Sequence, residues 1–379
     1  MSTRIAVTGA TGHVGGMAAG ILHTEGVPAR LLVRDPSRAP SWAGDAAVAP
    51  YGDREACRAA LVGIDVVLMV SAHESWDRLE QHLSFIEAAR EAGVKHVVYT
   101  SFLSAAPDAV FTYARTHWAT EQALAASGMG WTFLQDSFYA DDFPEFAVDG
   151  VIAGPAGQGR VGAVARADVG RSAGAVLLDL AGAGSRPGSS HEGATYRLTG
   201  PASLSMAEIA QILTEHGSPT VYRAETIEEA YASRESYGAP NWEVDGWVST
   251  YTSIASGALD LLAAQTQGAA PARPGSRTAS PTGSDVNRVS KEFCRRGEQD
   301  GVRWTDLISR ACHWKFLRAS VRTLRRRPRC AAGSSSPPTA SGRLPPYRSG
   351  LSAAITRAGS ARDHSSERAP RCRQRRQCR

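Results

Sequence analysis

The glycine-rich segment Gly9–Gly16 constrains the fold of this chain more than any other feature of the sequence. It reads Gly-Ala-Thr-Gly-His-Val-Gly-Gly and follows the short apolar run Ile5–Val7. Apolar residues at helical spacing come next, and Ala29–Arg34 then predicts a second buried strand. A strand, a glycine turn, a helix and a strand in this order are typical of the unit that binds the pyrophosphate of a dinucleotide at the helix N-terminus. The alternative is a glycine turn that binds nothing.

The end of the second predicted strand indicates which dinucleotide is bound. Arg34 lies 19 residues after Gly15, near the position where NAD-binding proteins offer a carboxylate to the ribose 2′-hydroxyl. A guanidinium there favours a 2′-phosphate, and Arg38 adds a second positive charge. Asp35 is able to pair with either arginine or to accept from the ribose, and a surface arginine in an Asp-Pro turn explains the same residues. We expect NADPH to be preferred over NADH.

Strands and helices keep alternating as far as about residue 136. The further predicted elements are strands over Gly63–Ser71, His96–Ser101 and Trp131–Leu134, a helix with the apolar face Trp76, Leu79, Leu83 and Ile86, and a helix over Thr112–Ala126. This alternation predicts an α/β fold with a doubly wound, Rossmann-type parallel sheet in residues 1–135. Short β pieces and further helices, one opened by a capping box within Leu204–Ile209, predict a small α+β substrate lobe over residues 136–257.

Charge and composition divide the chain at about residue 257. Residues 1–257 hold 17 Lys and Arg against 29 Asp and Glu, whereas residues 258–379 hold 25 against 8. Gly, Pro, Ser, Ala and Arg dominate the second part, which also holds five of the six cysteines. Because this composition offers little apolar surface to bury, it predicts a disordered tail. The whole chain has 39 arginines and 3 lysines, which indicates a GC-rich gene, and a shifted reading frame of such a gene yields the same residue types. The alternative is a basic arm that binds nucleic acid or acidic surfaces.

The first part of the chain has the features of a cytoplasmic protein. Its single cysteine, Cys57, excludes a disulfide framework and indicates a reducing compartment. We expect no signal peptide, because no charged start is followed by an apolar stretch, and no membrane span, because the most apolar run, Ile64–Ala72, is too short. The histidines show no ligand spacing with cysteines or acids, so we expect no metal.

Five segments of the chain carry a resemblance to a known family. They are Gly9–Gly15, Val33–Pro36, Ala92–Ser101, His117–Glu121 and Ser127–Leu134. Together they resemble the atypical short-chain dehydrogenase/reductase group. Within that group they are most similar to the NmrA-like family and the bacterial NAD(P)H:quinone oxidoreductases of type 2. The resemblance runs from about residue 3 to residue 257, and it implies an NADP-binding Rossmann domain with a small substrate lobe, in members that are either reductases or redox sensors without catalysis.

The resemblance also implies positions for the cofactor. The glycine turn would contact the pyrophosphate through Gly9, Thr11, Gly12, His13, Val14 and Gly15. Arg34, with Arg38 nearby, would contact the adenosine phosphate, and Asp53 would lie near the adenine amino group. Ser71 and Ala72 would pass beside the nicotinamide ribose. Ordinary packing at strand ends is the alternative for the last three positions. Asp168 matches an acid of the family, and we expect it to cap a helix.

The expected catalytic residues are Tyr113, His117 and Ser101. Short-chain reductases usually pair a tyrosine with a lysine four residues on, and the ammonium lowers the pKa of the tyrosine that donates a proton to the substrate. This chain keeps the tyrosine and the spacing but has histidine at the lysine position, which weakens the case for a tyrosinate. Ser101 is expected to hydrogen-bond the substrate. The alternatives are a packing role for Tyr113 and a structural or ribose-contacting role for His117.

The aromatic residues near the expected pocket mouth favour a flat substrate such as a quinone. These residues are Trp118, Phe138, Tyr139, Phe143 and Phe146, although aromatic residues at this spacing are also typical of a core. A quinone accepts hydride readily and solvent protonates the product, so positioning suffices. We therefore expect an NADPH-dependent oxidoreductase that transfers hydride to a quinone or related carbonyl substrate. The alternatives are a non-catalytic NADP-binding sensor and an isomerase or epimerase that keeps its cofactor bound; the oligomeric state is left open.

Overall fold

The computed structural model describes residues 3–183 and 191–262. The strands are β1 (Ile5–Thr8), β2 (Ala29–Val33), β3 (Ala46–Val48), β4 (Val66–Met69), β5 (His96–Phe102), β6 (Gly130–Asp136), β7 (Val151–Gly154), β8 (Arg160–Val161), β9 (Ala194–Leu198), β10 (Leu204–Ser205) and β11 (Val221–Ala224). The helices are α1 (His13–Thr24), α2 (Arg54–Leu61), α3 (Arg78–Glu91), α4 (Thr112–Ala126), α5 (Phe143–Phe146), α6 (Arg166–Ala183), α7 (Met206–Glu215), α8 (Ile227–Arg234) and α9 (Asn241–Ala255).

Seven strands form one parallel sheet in the order β3-β2-β1-β4-β5-β6-β9. Because side chains alternate along a strand, each strand serves two apolar layers. Ala6, Val67 and Tyr99 pack with α2, α3 and α4, whereas Val7 and Leu68 pack with α1 and α6. Helices therefore cover both faces of the sheet, which confirms the predicted doubly wound, Rossmann-type fold.

The strand order reverses at β1, which places β2 on one side and β4 on the other. In sheets of this kind a crevice opens at that switch point, outside the carboxyl ends of the strands, and ligands bind there. The residues that leave this edge of the sheet are the glycine turn after β1 and Val70–Ala72 after β4. We refer to the carboxyl ends of β1, β2, β4, β5 and β6 as the carboxyl edge.

Residues beyond β6 contribute both to the main sheet and to a second apolar core. β9 pairs in parallel with β6. β7 pairs with β11, and β8 pairs antiparallel with β10. The second core contains Ile152, Ile209 and Tyr251, and it reaches back to Phe102 at the end of β5. The capping box predicted at the start of α7 is confirmed, because Ser205 and Glu208 bond each other's backbone N–H groups.

Two details of the sequence prediction are wrong. Trp76 precedes α3 and is 79% exposed, and Leu83 is also exposed; the buried face of α3 instead includes Arg78, His82 and Phe85. Asp168, which we expected to cap a helix, lies in the first turn of α6 and pairs with Arg171. The first N–H of α6 donates instead to Asp141 Oδ2, at 2.9 Å.

The predicted basic tail, residues 258–379, lies outside the described residues from 263 onward. Its first residues belong to the fold, because Leu259 is buried in the second core and Gly162 N–H donates to the Leu259 carbonyl at 3.0 Å. Within the described part of the chain, the helices lack the length and apolar character that crossing a membrane requires.

Candidate active site

The turn after β1 has the geometry of an anion site. Gly9 adopts a positive φ of 60°, and Gly12 N–H donates to its carbonyl at 2.8 Å. A Cβ on Gly15 would lie 2.5 Å from the carbonyl oxygens of both Thr8 and Gly9, so only glycine allows the first turn of α1 to pack so closely on β1. Gly9, Thr11, Gly12 and His13 are exposed, whereas Val14 and Gly15 are buried at the helix base.

The N-terminus of α1 has no side-chain cap and no acidic residue in its first turn. Asp53, Ser205 and Thr226 cap α2, α7 and α8 through hydrogen bonds to backbone N–H groups, whereas α3, α4 and α9 lack a side-chain cap as α1 does. A helix start without such a cap keeps N–H donors and a partial positive charge for an anion. This donor set fits a pyrophosphate.

Arg34 and Arg38 lie beyond β2 with exposed side chains. Asp35 does not pair with Arg34: one oxygen of its carboxylate accepts from Ser37 N–H at 3.0 Å and from Ser37 Oγ at 2.7 Å. These hydrogen bonds lower the pKa of Asp35 below its ordinary value. In the described part of the chain, no side chain forms a hydrogen bond or ion pair with the Arg34 guanidinium, so this group is available to a phosphate.

Tyr51 joins the ends of β1 and β4 near Asp53. Its hydroxyl donates to the Val70 carbonyl at 2.6 Å and lies 2.6 Å from Thr8 Oγ1, which in turn accepts from Val70 N–H at 2.8 Å. Asp53 Oδ1 accepts from Ala56 N–H at 3.0 Å as the cap of α2. Asp53 is exposed beside this junction.

Ser71 and Ala72 are half-buried after β4, and their backbone is held from two sides. Ser71 N–H donates to Thr100 Oγ1 at 2.8 Å, and Ala72 N–H donates to His82 Nε2 at 2.9 Å. The Ala72 carbonyl accepts from Arg78 Nε at 3.0 Å. These bonds fix the path of the chain at the carboxyl edge.

Tyr113 belongs to a group of rings that we call the aromatic cluster. Its members are Phe102, Phe111, Tyr113, Phe138 and Trp242, with neighbouring ring centroids 4.8–6.3 Å apart. A Cβ on Gly246 of α9 would lie 2.4 Å from the Tyr113 hydroxyl oxygen, so the phenol packs directly on the α9 backbone. Burial, with the carboxylates Glu74 and Glu243, raises the pKa of Tyr113 above its ordinary value.

The other aromatic residues singled out in the sequence divide between core and site. Phe143 is fully buried in the second core, and Phe146 packs on Tyr251. Tyr139 lies under the Arg166 guanidinium, whose central carbon is 5.1 Å from the ring centroid. Trp118 is half-buried on α4.

His117 is buried, and both of its ring nitrogens are hydrogen-bonded. Its Nε2 lies 3.0 Å from Arg78 Nη2 and its Nδ1 lies 2.9 Å from the Tyr99 hydroxyl. Since a guanidinium only donates, Nε2 accepts, and the imidazole proton is on Nδ1. Burial, then the positive charge of Arg78, holds the pKa of His117 well below its ordinary value. The imidazole is therefore neutral and lies below the surface of the site.

Ser101 is fully buried, and its hydroxyl donates to Glu121 Oε1 at 2.6 Å. Gln135 Nε2 donates to the same oxygen at 2.9 Å, and burial raises the pKa of Glu121. The structure thus gives Ser101 a partner inside the protein rather than an open hydroxyl at the carboxyl edge.

Three residues at the site were missed by the sequence analysis. Asp136, at the end of β6, accepts from the Tyr139 hydroxyl at 2.6 Å, and burial raises its pKa to about 7. Ser137 Oγ is the one buried side-chain polar atom without a partner among the described residues. Arg78 is 4% exposed at the first position of α3. A basic residue at a helix start opposes the helix dipole, and this oddity is the signal that could have found it.

The residues present fit a dinucleotide. The uncapped α1, the available Arg34 and the orphan Ser137 hydroxyl all lie where the fold class places cofactor contacts, from the β1 turn to the carboxyl end of β6. Among residues 3–183 and 191–262, no group of three or more His, Cys, Asp or Glu side chains is arranged to hold a metal ion.

Comparison with known proteins assigns the chain to a family. Residues 9–179 match the NAD(P)H-binding family. Quinone oxidoreductase 2 of Escherichia coli is 32% identical over 266 residues, which cover 67% of this chain and 89% of that protein. NAD(P)H azoreductase of Xenophilus azovorans is 31% identical over 68% of this chain and 91% of its own.

Solved structures agree with this assignment. The NADPH-dependent quinone oxidoreductase of Escherichia coli, described as complexed with NADPH, has a TM-score of 0.59 and 30% identity, covering 67% of this chain and 90% of that chain. The fold and site define an NAD(P)H-dependent oxidoreductase, as expected from the sequence. The chain belongs to the NAD(P)H-binding family, together with quinone oxidoreductase 2 and the NAD(P)H azoreductase.

Proposed function

We propose that the chain is an NADPH-dependent reductase that transfers hydride to a quinone or a related electron-poor carbonyl compound. The observation that carries the proposal is an anion site at the start of α1 together with a guanidinium, Arg34, that has no partner in the described residues. N–H donors at a helix start suit a pyrophosphate, and a free guanidinium suits a 2′-phosphate. This combination supports NADPH rather than NADH.

In this proposal the cofactor residues have the roles that the sequence predicts. Gly9, Thr11, Gly12, His13, Val14 and Gly15 form the pyrophosphate cradle. Arg34 and Arg38 hold the 2′-phosphate, and Asp53 faces the adenine. Ser71 and Ala72 border the nicotinamide ribose, and the unpartnered Ser137 hydroxyl adds a hydrogen-bonding group at this end. Bound NADPH supplies a hydride ion, and a quinone that accepts it needs one more proton to become a hydroquinone.

The aromatic cluster supports a flat, conjugated substrate. Phe138, Tyr113 and Trp242 are half-buried beside the buried Phe102, the last residue of β5, and offset or edge contacts with such rings stabilise a planar ligand. Two relatives are named as a quinone oxidoreductase and an azoreductase, so their substrates are also conjugated electron acceptors.

The protonation states support an acceptor that needs little acid catalysis. Tyr113 has a raised pKa and is a weaker acid than an ordinary phenol, and the neutral His117 offers no charge to reverse this. A carbonyl of ordinary reactivity needs a proton as hydride arrives, whereas a quinone becomes a stable anion that solvent protonates. We propose that Tyr113 contacts the substrate through its ring, and that His117 and Ser101 hold the elements around it.

Steady-state oxidation of NADPH by the full-length chain, with a panel of benzoquinones and naphthoquinones, tests the proposal. We expect turnover with one hydroquinone formed for each NADPH consumed, and a lower kcat/KM with NADH. Arg34→Gln removes the guanidinium: it should lower kcat/KM for NADPH, whereas the control reaction with NADH should stay within about threefold. Equal loss with both cofactors would contradict the role of Arg34.

A non-catalytic sensor of NADP is the second candidate, because Tyr113 and His117 both lack the features of an acid catalyst. Tight NADPH binding with no oxidation by any quinone of the panel would favour the sensor. The cytoplasm is the proposed compartment, supported by Cys57, a buried free thiol in the described part of the chain.

A further inference from the structure

Arg78 is a buried cation with no carboxylate of the described residues within ion-pair distance, and the carboxylates of Glu74 and Asp136 act on it only from farther away. Its guanidinium donates to the Ala72 carbonyl at 3.0 Å, to Thr116 Oγ1 at 3.3 Å and to His117 Nε2 at 3.0 Å. All three acceptors are neutral, and within the described residues no carboxylate oxygen comes within 4.0 Å of it. Arg234, a half-buried arginine beside the second core, pairs with Glu225 at 3.2 Å.

Both the burial and the position of Arg78 oppose folding. A charge removed from water and left unpaired costs several kcal/mol. A cation at the first position of a helix also faces the positive end of the helix dipole. These two costs indicate that the charge of Arg78 has a role beyond stability.

The surrounding network leaves Arg78 as its single positive charge. His82 Nε2 accepts from Ala72 N–H, so its proton is on Nδ1, 2.9 Å from Thr120 Oγ1. Burial, then Arg78, lowers the pKa of His82 to about 3. His117 is neutral for the same reasons. His117, four residues after Tyr113, therefore supplies no charge. The Arg78 guanidinium, whose Nη2 lies 3.0 Å from His117 Nε2, supplies one.

The field of this charge reaches the surface of the site. Arg78 opposes the effect of burial on the pKa of Tyr113, in the aromatic cluster, and on the pKa of Asp136, at the end of β6. It also bonds Ala72, the residue assigned to the nicotinamide ribose. Because the protein interior has a low dielectric constant and excludes salt, the charge of Arg78 acts on these groups with little screening.

We propose that Arg78 is the positioning residue that holds Ala72 and provides the fixed positive charge that stabilises the anion formed when the substrate accepts hydride. The inference rests on the proposed function. In the step concerned, the substrate takes two electrons and one proton as hydride, NADPH becomes NADP⁺, and the resulting hydroquinone anion takes its second proton from solvent. The guanidinium remains protonated throughout and does not contact the substrate.

Two substitutions in the full-length chain separate charge from structure. Arg78→Lys replaces the guanidinium with an ammonium, whose pKa burial lowers, so its kcat should rise towards that of wild type as the pH falls. Arg78→Gln removes the charge and should lower kcat about 10- to 100-fold, as expected for the loss of an electrostatic stabiliser. Both variants lose the bond from the guanidinium to the Ala72 carbonyl, so the Kd for NADPH should rise by a similar factor in both, about 2- to 12-fold. Arg90→Gln removes an exposed, paired arginine from the same helix and should leave kcat unchanged.

A series of substituted benzoquinones supplies the readout that a purely structural role does not move. Electron-rich quinones reach their transition states later, with more negative charge developed, so the loss in Arg78→Gln should grow as the quinone becomes electron-richer. A uniform loss across the series, or equal losses in Arg78→Gln and Arg78→Lys at every pH, would overturn the proposal.

Three further outcomes are also decisive. If Arg78→Gln does not fold, the series is run with Arg78→Lys at low pH, where its rates should parallel those of wild type; a large uniform fall there would overturn the proposal. If wild type reduces no quinone at all, the proposed function fails and this inference fails with it. If wild type is active and Arg78→Gln has the same kcat, only the proposed role of Arg78 is wrong.

Discussion

Replacing Gly15 with alanine tests the anion site from its geometry. The added Cβ would lie 2.5 Å from the carbonyl oxygens of Thr8 and Gly9, whereas real Cβ atoms essentially never approach below 3.0 Å. Since both atoms are backbone, α1 must move away from β1 by at least about 0.5 Å. Overpacking of this kind costs about 1–3 kcal/mol.

The same movement displaces the N–H groups that would hold the pyrophosphate. Loss of one hydrogen bond to a charged group costs about 1.5–3 kcal/mol, which raises the Kd for NADPH about 10- to 150-fold. Titration calorimetry measures the Kd, and thermal unfolding measures stability, with a Tm shift of about 2–4 °C for each kcal/mol.

Gly20→Ala is the matched control, because it lies on the same helix and its added Cβ meets no atom within 4 Å. It should bind NADPH like wild type and gain about 0.5–1 kcal/mol from helix propensity. If Gly15→Ala binds NADPH as tightly as Gly20→Ala, α1 does not carry the pyrophosphate and the reasoning is refuted.

Three further predictions concern the rest of the site. Arg34→Gln should raise the Kd for NADPH about 10- to 150-fold and leave that for NADH within about threefold, measured by calorimetry; equal effects on both cofactors would contradict a 2′-phosphate contact. Tyr113→Phe should keep kcat for benzoquinone within about threefold, because the raised pKa makes the phenol a poor acid; a loss above about tenfold would restore it as proton donor. The pKa of Asp136, raised by burial to about 7, means that its contribution to stability is full below pH 4 and is lost as the pH rises through 7. Asp136→Asn should therefore flatten the fall in Tm over this range, and an unchanged pH profile would show that Asp136 does not titrate there.

The sheet and the cofactor turn were predictable because local sequence patterns determine their conformation. Alternating apolar strands and amphipathic helices gave β1, β5, α4 and β6 with bounds within a few residues of those observed. The turn requires glycines for local steric reasons, so a single sequence is enough to identify it. The sequence did not predict β9, because this segment is a strand only through its pairing with β6, about 60 residues earlier in the chain.

The catalytic part of the site was less predictable because its polar groups are buried. The apolar spacing of Trp76, Leu79 and Leu83 suggested the wrong face of α3, since the true inner face carries Arg78 and His82 in a hydrogen-bond network. Hydropathy scores such residues as exposed, and only the fold reveals their partners. In the same way, the contact of Tyr113 with Gly246 joins residues far apart in the sequence.

A single-turnover reaction tests the central claim most directly. The full-length chain is mixed in excess with NADPH and then with a benzoquinone, and the nicotinamide absorbance is followed, once with ordinary NADPH and once with NADPH deuterated at the transferred position. The account predicts complete conversion to NADP⁺, one hydroquinone for each NADPH, and slower transfer with deuterium. Bound NADPH whose absorbance does not change when the quinone is added would contradict it.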